Sequence, residues 1–354
     1  MKLIKHLLIF IISLFSSFSN AQEKFDNKKW YEERFKFFEN YKKTLINAQK
    51  NNPAYKGAIA ETATGQAFPL IDIKNQKEID QMALKICIDQ GGIKCKIRIR
   101  SLKNNPNYNR LATWDKKNNI LDGNMFKLKV KKLFEHKGIV FLNNINDFSN
   151  ENKDFSCSKT SSHQSSITNI FVKELNKFPI DFLNNSGLKF VVVCGKISRK
   201  NGGDPTGLAP SHFDQSPGVF FINSKEVKSF IDNKFDFIAA HTFHHELYHI
   251  IDAKLTLVGL DEKWVSLNKN SYSNQNIVAD GKVLNDGKGF ISHYAKNNEF
   301  EDKAELFANL LVNFSAVKAA IKNDPVLFKK TELMISRLKK ISPSVNKNFW
   351  KKFN

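Results

Sequence analysis

The sequence predicts an α+β fold, and three observations lead to it. Short apolar runs of strand length come first: GIVFLNNI from Gly138, LKFVVVCGKI at 188–197 and VFFIN at 219–223. A helix-length apolar segment, Asp236 to Lys254, follows without proline or glycine, and helical patterning dominates from about Glu299 onward. Strands first and helices after is the order of an α+β domain.

The elements follow in order. Lys2 and Lys5, an apolar stretch from Leu7 to Phe15, and small residues at Ser19 and Ala21 have the layout of a cleaved export signal, so residues 1–21 are set aside and a secreted or periplasmic protein is expected. Residues 25–50 carry Trp30, Phe35, Phe38 and Tyr41 at helical spacing. Asn75 with Glu78 three residues later resembles a capping box, and it opens a helix whose face is Ile79, Met82, Ala83 and Ile86 and which stops at Gly91-Gly92. Ile93, Cys95, Ile97 and Ile99 alternate with basic residues, as in a half-exposed strand. The polar stretch 146–166 is the best boundary. It divides an N-terminal α+β region, 22–150, whose role the residues do not reveal, from a domain at 151–354. A helix is expected near Ile167–Phe182.

Charge and cysteines narrow the classes. The net charge is +20, but the basic residues are scattered and form no stripe interleaved with aromatics, which argues against nucleic acid as a partner. No apolar run after the signal approaches the roughly 20 residues of a membrane span, so no stable membrane insertion is expected. Four cysteines in an exported chain favour disulfides over buried thiols. Of the three pairings, Cys87–Cys95 with Cys157–Cys194 is preferred, because only a turn containing Gly91-Gly92 separates the first pair. No CxxC suggests zinc held by cysteine.

The chemistry concentrates in HTFHHELYHIIDAK, 241–254. His245-Glu246-Leu247-Tyr248-His249 matches HExxH. Two histidines four apart on a helix project from one face, so both imidazoles reach one ion, and the intervening glutamate can take a proton from a metal-bound water. Zinc lowers that water's pKa from about 15.7 to about 7. A bare match arises by chance in roughly one or two chains per hundred of this composition, but an uninterrupted helix around it strengthens the reading. His241 and His244 read as packing or surface histidines. Asp252 reads either as a carboxylate orienting an imidazole or as an ordinary helix charge.

Catalytic zinc usually takes three protein ligands, and the metzincin extension is absent: Asp252 and Leu255 stand where its glycine and last histidine would be. The third ligand is sought in SHYAKNNEFEDKAELFANLL, 292–311, where Glu301 and Glu305 share a helix face; Glu299 and His293 are rivals. These two segments together resemble the anthrax lethal factor-like catalytic domain, a gluzincin metallopeptidase class with HExxH, a downstream tyrosine in S-x-Y, and E-x-x-A-E on a helix. The resemblance spans roughly residues 165–320. It implies a zincin-like domain, with a small twisted sheet, the HExxH helix and C-terminal helices. It further implies one catalytic zinc ion on His245, His249 and Glu301, Glu246 as general base, Tyr294 assisting at the oxyanion, and Glu305 behind a ligand. Ala295 replaces the glycine often found after the tyrosine.

The expected activity is therefore zinc-dependent hydrolysis of a peptide or protein substrate. Two alternatives share the residues: a non-hydrolytic cell-surface binding module, and a zinc hydrolase of a non-peptide amide such as a cell-wall link. VFFIN is read either as an edge strand for an extended substrate or as a plain core strand. The Gly/Pro-rich segment 201–218 before it lacks a phosphate-loop pattern and is read as a flap or a surface loop.

Overall fold

The structure is a computed structural model that describes residues 27–353 except 63–66, 93–94, 102, 105–110, 124–125, 150–154, 161–163, 200–202, 210–217, 256–260, 269–271, 274–276 and 278–281. The expected export signal, 1–21, lies outside the described residues. Among those described, no helix is long and apolar enough to cross a membrane. The chain divides into two compact units, Met1–Asn109 and Arg110–Asn354.

The first unit begins with helix α1 (Asn27–Asn51), in which Phe38 and Tyr41 are buried at the helical spacing that suggested it. Strands β1 (Lys56–Glu61), β2 (Ala67–Asp72), β3 (Lys96–Arg100) and β4 (Lys103–Asn104) form an antiparallel sheet in the order β2-β1-β3-β4. Helix α2 (Gln76–Asp89) starts where the capping pattern placed it, the Asn75 side chain accepting from the Glu78 N–H at 3.1 Å. It packs Ile79, Ala83 and Cys87 into a cluster with Ala58, Ala60 and Ile97, and Cys87 is bonded to Cys95 just before β3. One expectation fails here. Arg98 is not on a solvent face; it is buried and its guanidinium meets Glu61 Oε2 at 2.6 Å. Alternation of apolar and basic residues implies an exposed face only when no carboxylate waits on the neighbouring strand.

The second unit begins upstream of the predicted boundary at 150/151. Strands β5 (Thr113–Asp115), β6 (Ile120–Asp122), β7 (Lys127–His136) and β8 (Ile139–Asn144) form a meander whose last strand pairs in parallel with β11 (Phe190–Cys194). That pairing joins residues on either side of the polar stretch, which is why it is no domain boundary in three dimensions. The sheet continues through β14 (Val219–Asn223), parallel to β11, to β13 (Gly207–Leu208), antiparallel to β14, in the order β13-β14-β11-β8-β7-β6-β5. VFFIN is thus an interior strand, and β13 in the Gly-rich segment is the edge.

The parallel strands read as continuous apolar runs because both of their faces are covered. On one face Phe141, Val191 and Phe220 meet helices α3 (Gln164–Asn176), α4 (Ile180–Ser186) and α6 (Asp236–Leu255). On the other, Leu142, Val192 and Phe221 meet β10 (Phe155–Cys157) and β12 (Ile197–Arg199), which pair with each other and, through β10, with β9 (Phe148–Ser149). Cys157 on β10 is bonded to Cys194 on β11, giving the second expected disulfide. The single helix expected near 167–182 is two helices, since Pro179 stands at the N-cap of α4. Helix α5 (Ser224–Asp232), absent from the sequence reading, is capped by the Asn223 side chain. After α6 come α7 (Glu262–Val265), α8 (Glu299–Val312), α9 (Phe314–Asn323), α10 (Pro325–Ile341) and α11 (Lys347–Trp350). Helices α6 and α8 pack together, and the candidate site lies between them.

Candidate metal centre

Helix α6 has buried residues on nearly every side from Ala239 to Asp252. Such a helix keeps polar side chains only where each has a partner. His244 has a partner for one ring nitrogen: its Nε2 lies 2.6 Å from Glu174 Oε2, and burial drives its pKa down to about 4 against the pull of that carboxylate. It is a packing histidine.

His245 and His249 are one turn apart on the other side. Their Nε2 atoms are 3.1 Å apart, and Glu301 Oε2, reaching over from α8, is 2.9 Å from the first and 3.5 Å from the second. Glu301 occupies the first turn of α8, where the Asn298 side chain accepts from the N–H groups of Phe300 and Glu301 at 3.0 Å. Among the described residues, these three are the group whose donor atoms could hold one metal ion. Glu299 and His293, the rival ligands, are outside it. A tetrahedral zinc ion with bonds of ~2.05 Å has ligand-to-ligand edges of ~3.3 Å, and the three separations bracket that value. The donor set also fits chemically. Glu301 Oε2 is buried with no hydrogen bond of proper geometry, and a carboxylate oxygen beside two imidazole nitrogens is a ligand set that zinc takes.

The tautomer of His245 is held from behind. Glu305, one turn after Glu301, places Oε1 2.9 Å from His245 Nδ1, so the ring donates there and turns its Nε2 lone pair inward. Glu305 Oε2 accepts from the Ser292 hydroxyl at 2.6 Å, and the Ser292 oxygen in turn accepts from the Ala295 N–H at 3.1 Å. Ser292 therefore joins Glu305 to the 3-10 turn Tyr294–Lys296. His241 flanks the group, 3.7 Å from Glu305 Oε1 and 3.1 Å from Asn309 Nδ2. Burial pulls the pKa of His245 down, but the neighbouring carboxylates of Glu301 and Glu305 outweigh it and carry the pKa well above the usual value. A proton therefore competes with any metal for this ring.

Glu246 and Tyr294 stand beside the trio. Burial raises the pKa of Glu246, which is 6% exposed, although His245 and His249 pull the other way. The Tyr294 ring centroid is 5.8 Å from that of His245, and the charge of Glu301, with burial, holds the phenol well above its ordinary pKa, hence protonated. Asp252 forms a buried ion pair at 2.6 Å with Lys303, which is also fully buried, tying α6 to α8 beyond the ligands. Sequence reasoning missed Ser292, Lys303 and Gly207. Ser292 lay in the S-x-Y segment already quoted, whereas nothing local distinguishes a lysine that will be buried.

No curated protein matches the chain. A crystal structure described as a putative zinc-binding metallo-peptidase from Bacteroides caccae is 16% identical, covers 53% of this chain and 72% of its own, and has a TM-score of 0.34, too low to carry any argument. The family model described as "Putative zinc-binding metallo-peptidase" matches residues 218–354, the part of the chain in which α6 and α8 bring His245, His249 and Glu301 together.

Proposed function

We propose that this chain is an exported zinc-dependent metallopeptidase of the gluzincin type, related in its site to the anthrax lethal factor-like class. The single observation that carries the reading is the convergence of His245 Nε2, His249 Nε2 and Glu301 Oε2 beside a buried Glu246. The two disulfides support an oxidising compartment.

His245, His249 and Glu301 would hold the zinc ion, which supplies Lewis acidity and brings the pKa of a water down towards neutrality. Glu246 takes the proton released as the nucleophile adds to the peptide carbonyl and returns it to the leaving amine; its burial and raised pKa suit a group that must do both. Tyr294, kept protonated, donates a hydrogen bond to the developing oxyanion. Glu305 holds the ring of His245, Ser292 holds Glu305, and Asp252 acts through Lys303 by fixing the spacing of the two helices. The substrate chain adds to the edge of β13, beside which no further strand pairs among the described residues. Asn223 N–H donates to Thr206 O at 2.9 Å, so by the alternation of antiparallel pairs the N–H and C=O of Gly207, opposite Ile222, face away from β14.

The test is metal analysis of the purified protein together with hydrolysis of a fluorogenic peptide library, before and after chelation and after zinc is restored. One equivalent of zinc and chelator-reversible cleavage are expected. Protein that neither retains nor takes up zinc would end the reading. Zinc with no cleavage of any peptide would favour the binding-module or non-peptide alternatives. Glu305→Ala is expected to weaken zinc affinity about 10- to 100-fold in a chelator competition, the range found when a carboxylate behind a ligand histidine is removed. Unchanged affinity would remove Glu305 from that role.

A further inference from the structure

Strand β13 crosses over the motif helix at one residue. A Cβ built on Gly207 would lie 2.6 Å from Glu246 Cγ, 2.8 Å from Glu246 Oε1 and 2.9 Å from Thr242 Cγ2. No real side chain tolerates such separations, so the bare α-carbon of Gly207 is where Glu246 rests. Gly207 is buried, and the strand cannot simply drift outwards, since Leu208 beside it is buried in the core on the far face of the sheet. Nor does another group hold the carboxylate. Among the described residues no hydrogen bond to Glu246 is found, in contrast to Glu305, which is held by Ser292 and His245.

We infer that Gly207 is the positioning residue for Glu246: the main chain of the sheet edge, by lacking a side chain at this point, walls the base into place. With no hydrogen-bonding side chain on it among the described residues, the carboxylate has the van der Waals wall at Gly207 to bound its rotamer. A methyl group at 207 displaces it by the order of an ångström, enough to misalign proton transfer without touching the metal ligands. The inference rests on the proposed role of Glu246 as base.

The experiment compares wild type, Gly207→Ala, Gly207→Ala/Thr242→Ala and Glu246→Gln, each loaded with zinc, on the best-cleaved peptide of the library. For Gly207→Ala, kcat is expected to fall roughly 10- to 100-fold, with KM, zinc affinity and the spectrum of the cobalt-substituted protein unchanged. The double variant removes the Thr242 methyl but keeps the overlap with Glu246. It is expected to fold even where Gly207→Ala alone does not, and to stay as slow as the single variant. Wild-type kcat in either variant would overturn the inference, as would a loss of kcat accompanied by an equal loss of zinc affinity. Glu246→Gln separates the two levels of failure. If it stays active, the base assignment falls and the inference with it. If it is inactive while Gly207→Ala is fully active, only the role of Gly207 is lost.

Discussion

Glu246→Gln is expected to lower kcat by about two to four orders of magnitude, the usual contribution of a general base, while the protein keeps its zinc. Glutamine has the shape of glutamate, so contact with Gly207 is preserved and the fold has no reason to change. What is lost is the ability to accept a proton. Zinc content should stay because Glu246 is not one of the three converging donors. Stability should rise slightly if it moves at all, since a carboxylate whose pKa is raised by burial is one whose charged form the fold disfavours. Kinetics with matched metal analysis on the two proteins decide the matter. Residual activity near the wild-type level would remove Glu246 from the mechanism and leave the metal centre standing, whereas loss of zinc would mean that Glu246 helps to build the site.

Lys303→Met is expected to destabilise the protein by about 3–5 kcal/mol, the cost of removing one partner of a buried ion pair. Lys303 and Asp252 are both essentially inaccessible and meet at 2.6 Å, with Asp261 a further 3.6 Å from the ammonium. Methionine fills the space of the lysine stem but takes away the ammonium that the buried Asp252 carboxylate meets. Asp261 suffers less, because Arg337 still pairs with it. The second arm of the test is Lys303→Met with Asp252→Leu. Removing both charges should recover most of the loss, since an apolar pair of similar volume is often as stable as the ion pair it replaces. Denaturation in urea should be followed on the metal-free protein, so that zinc binding to the native state does not mask the change. A loss below 1 kcal/mol for Lys303→Met would show that the pair does not secure the junction of α6 and α8.

The site was legible to different depths. His245, Glu246 and His249 were readable because their geometry is local: spacing of four on a helix dictates that two imidazoles share a face. Glu301 and Glu305 were readable as a pair for the same reason, but which one approaches the histidines depends on how α8 packs against α6. Sequence alone left Glu299 and His293 in contention. VFFIN was recognisable as a strand from its apolar run, whereas its place inside the sheet was not, because the two-residue strand β13 that covers its edge has no pattern of its own.

What the sequence determined by itself is the chemistry available: an HExxH helix, a second helix bearing two acids on one face, and two disulfides in an α+β chain. The helices follow from short-range periodicity and the first disulfide from the turn between its cysteines, which leaves Cys157 and Cys194 for the second. What only the tertiary structure decided is how those pieces meet. The buried pairs Lys303–Asp252 and Arg98–Glu61, the Ser292 hydroxyl beneath Glu305, and the bare Cα of Gly207 against Glu246 all join residues far apart in sequence. A charge becomes a core residue, and a glycine becomes the seat of a carboxylate, only once another element is packed against it.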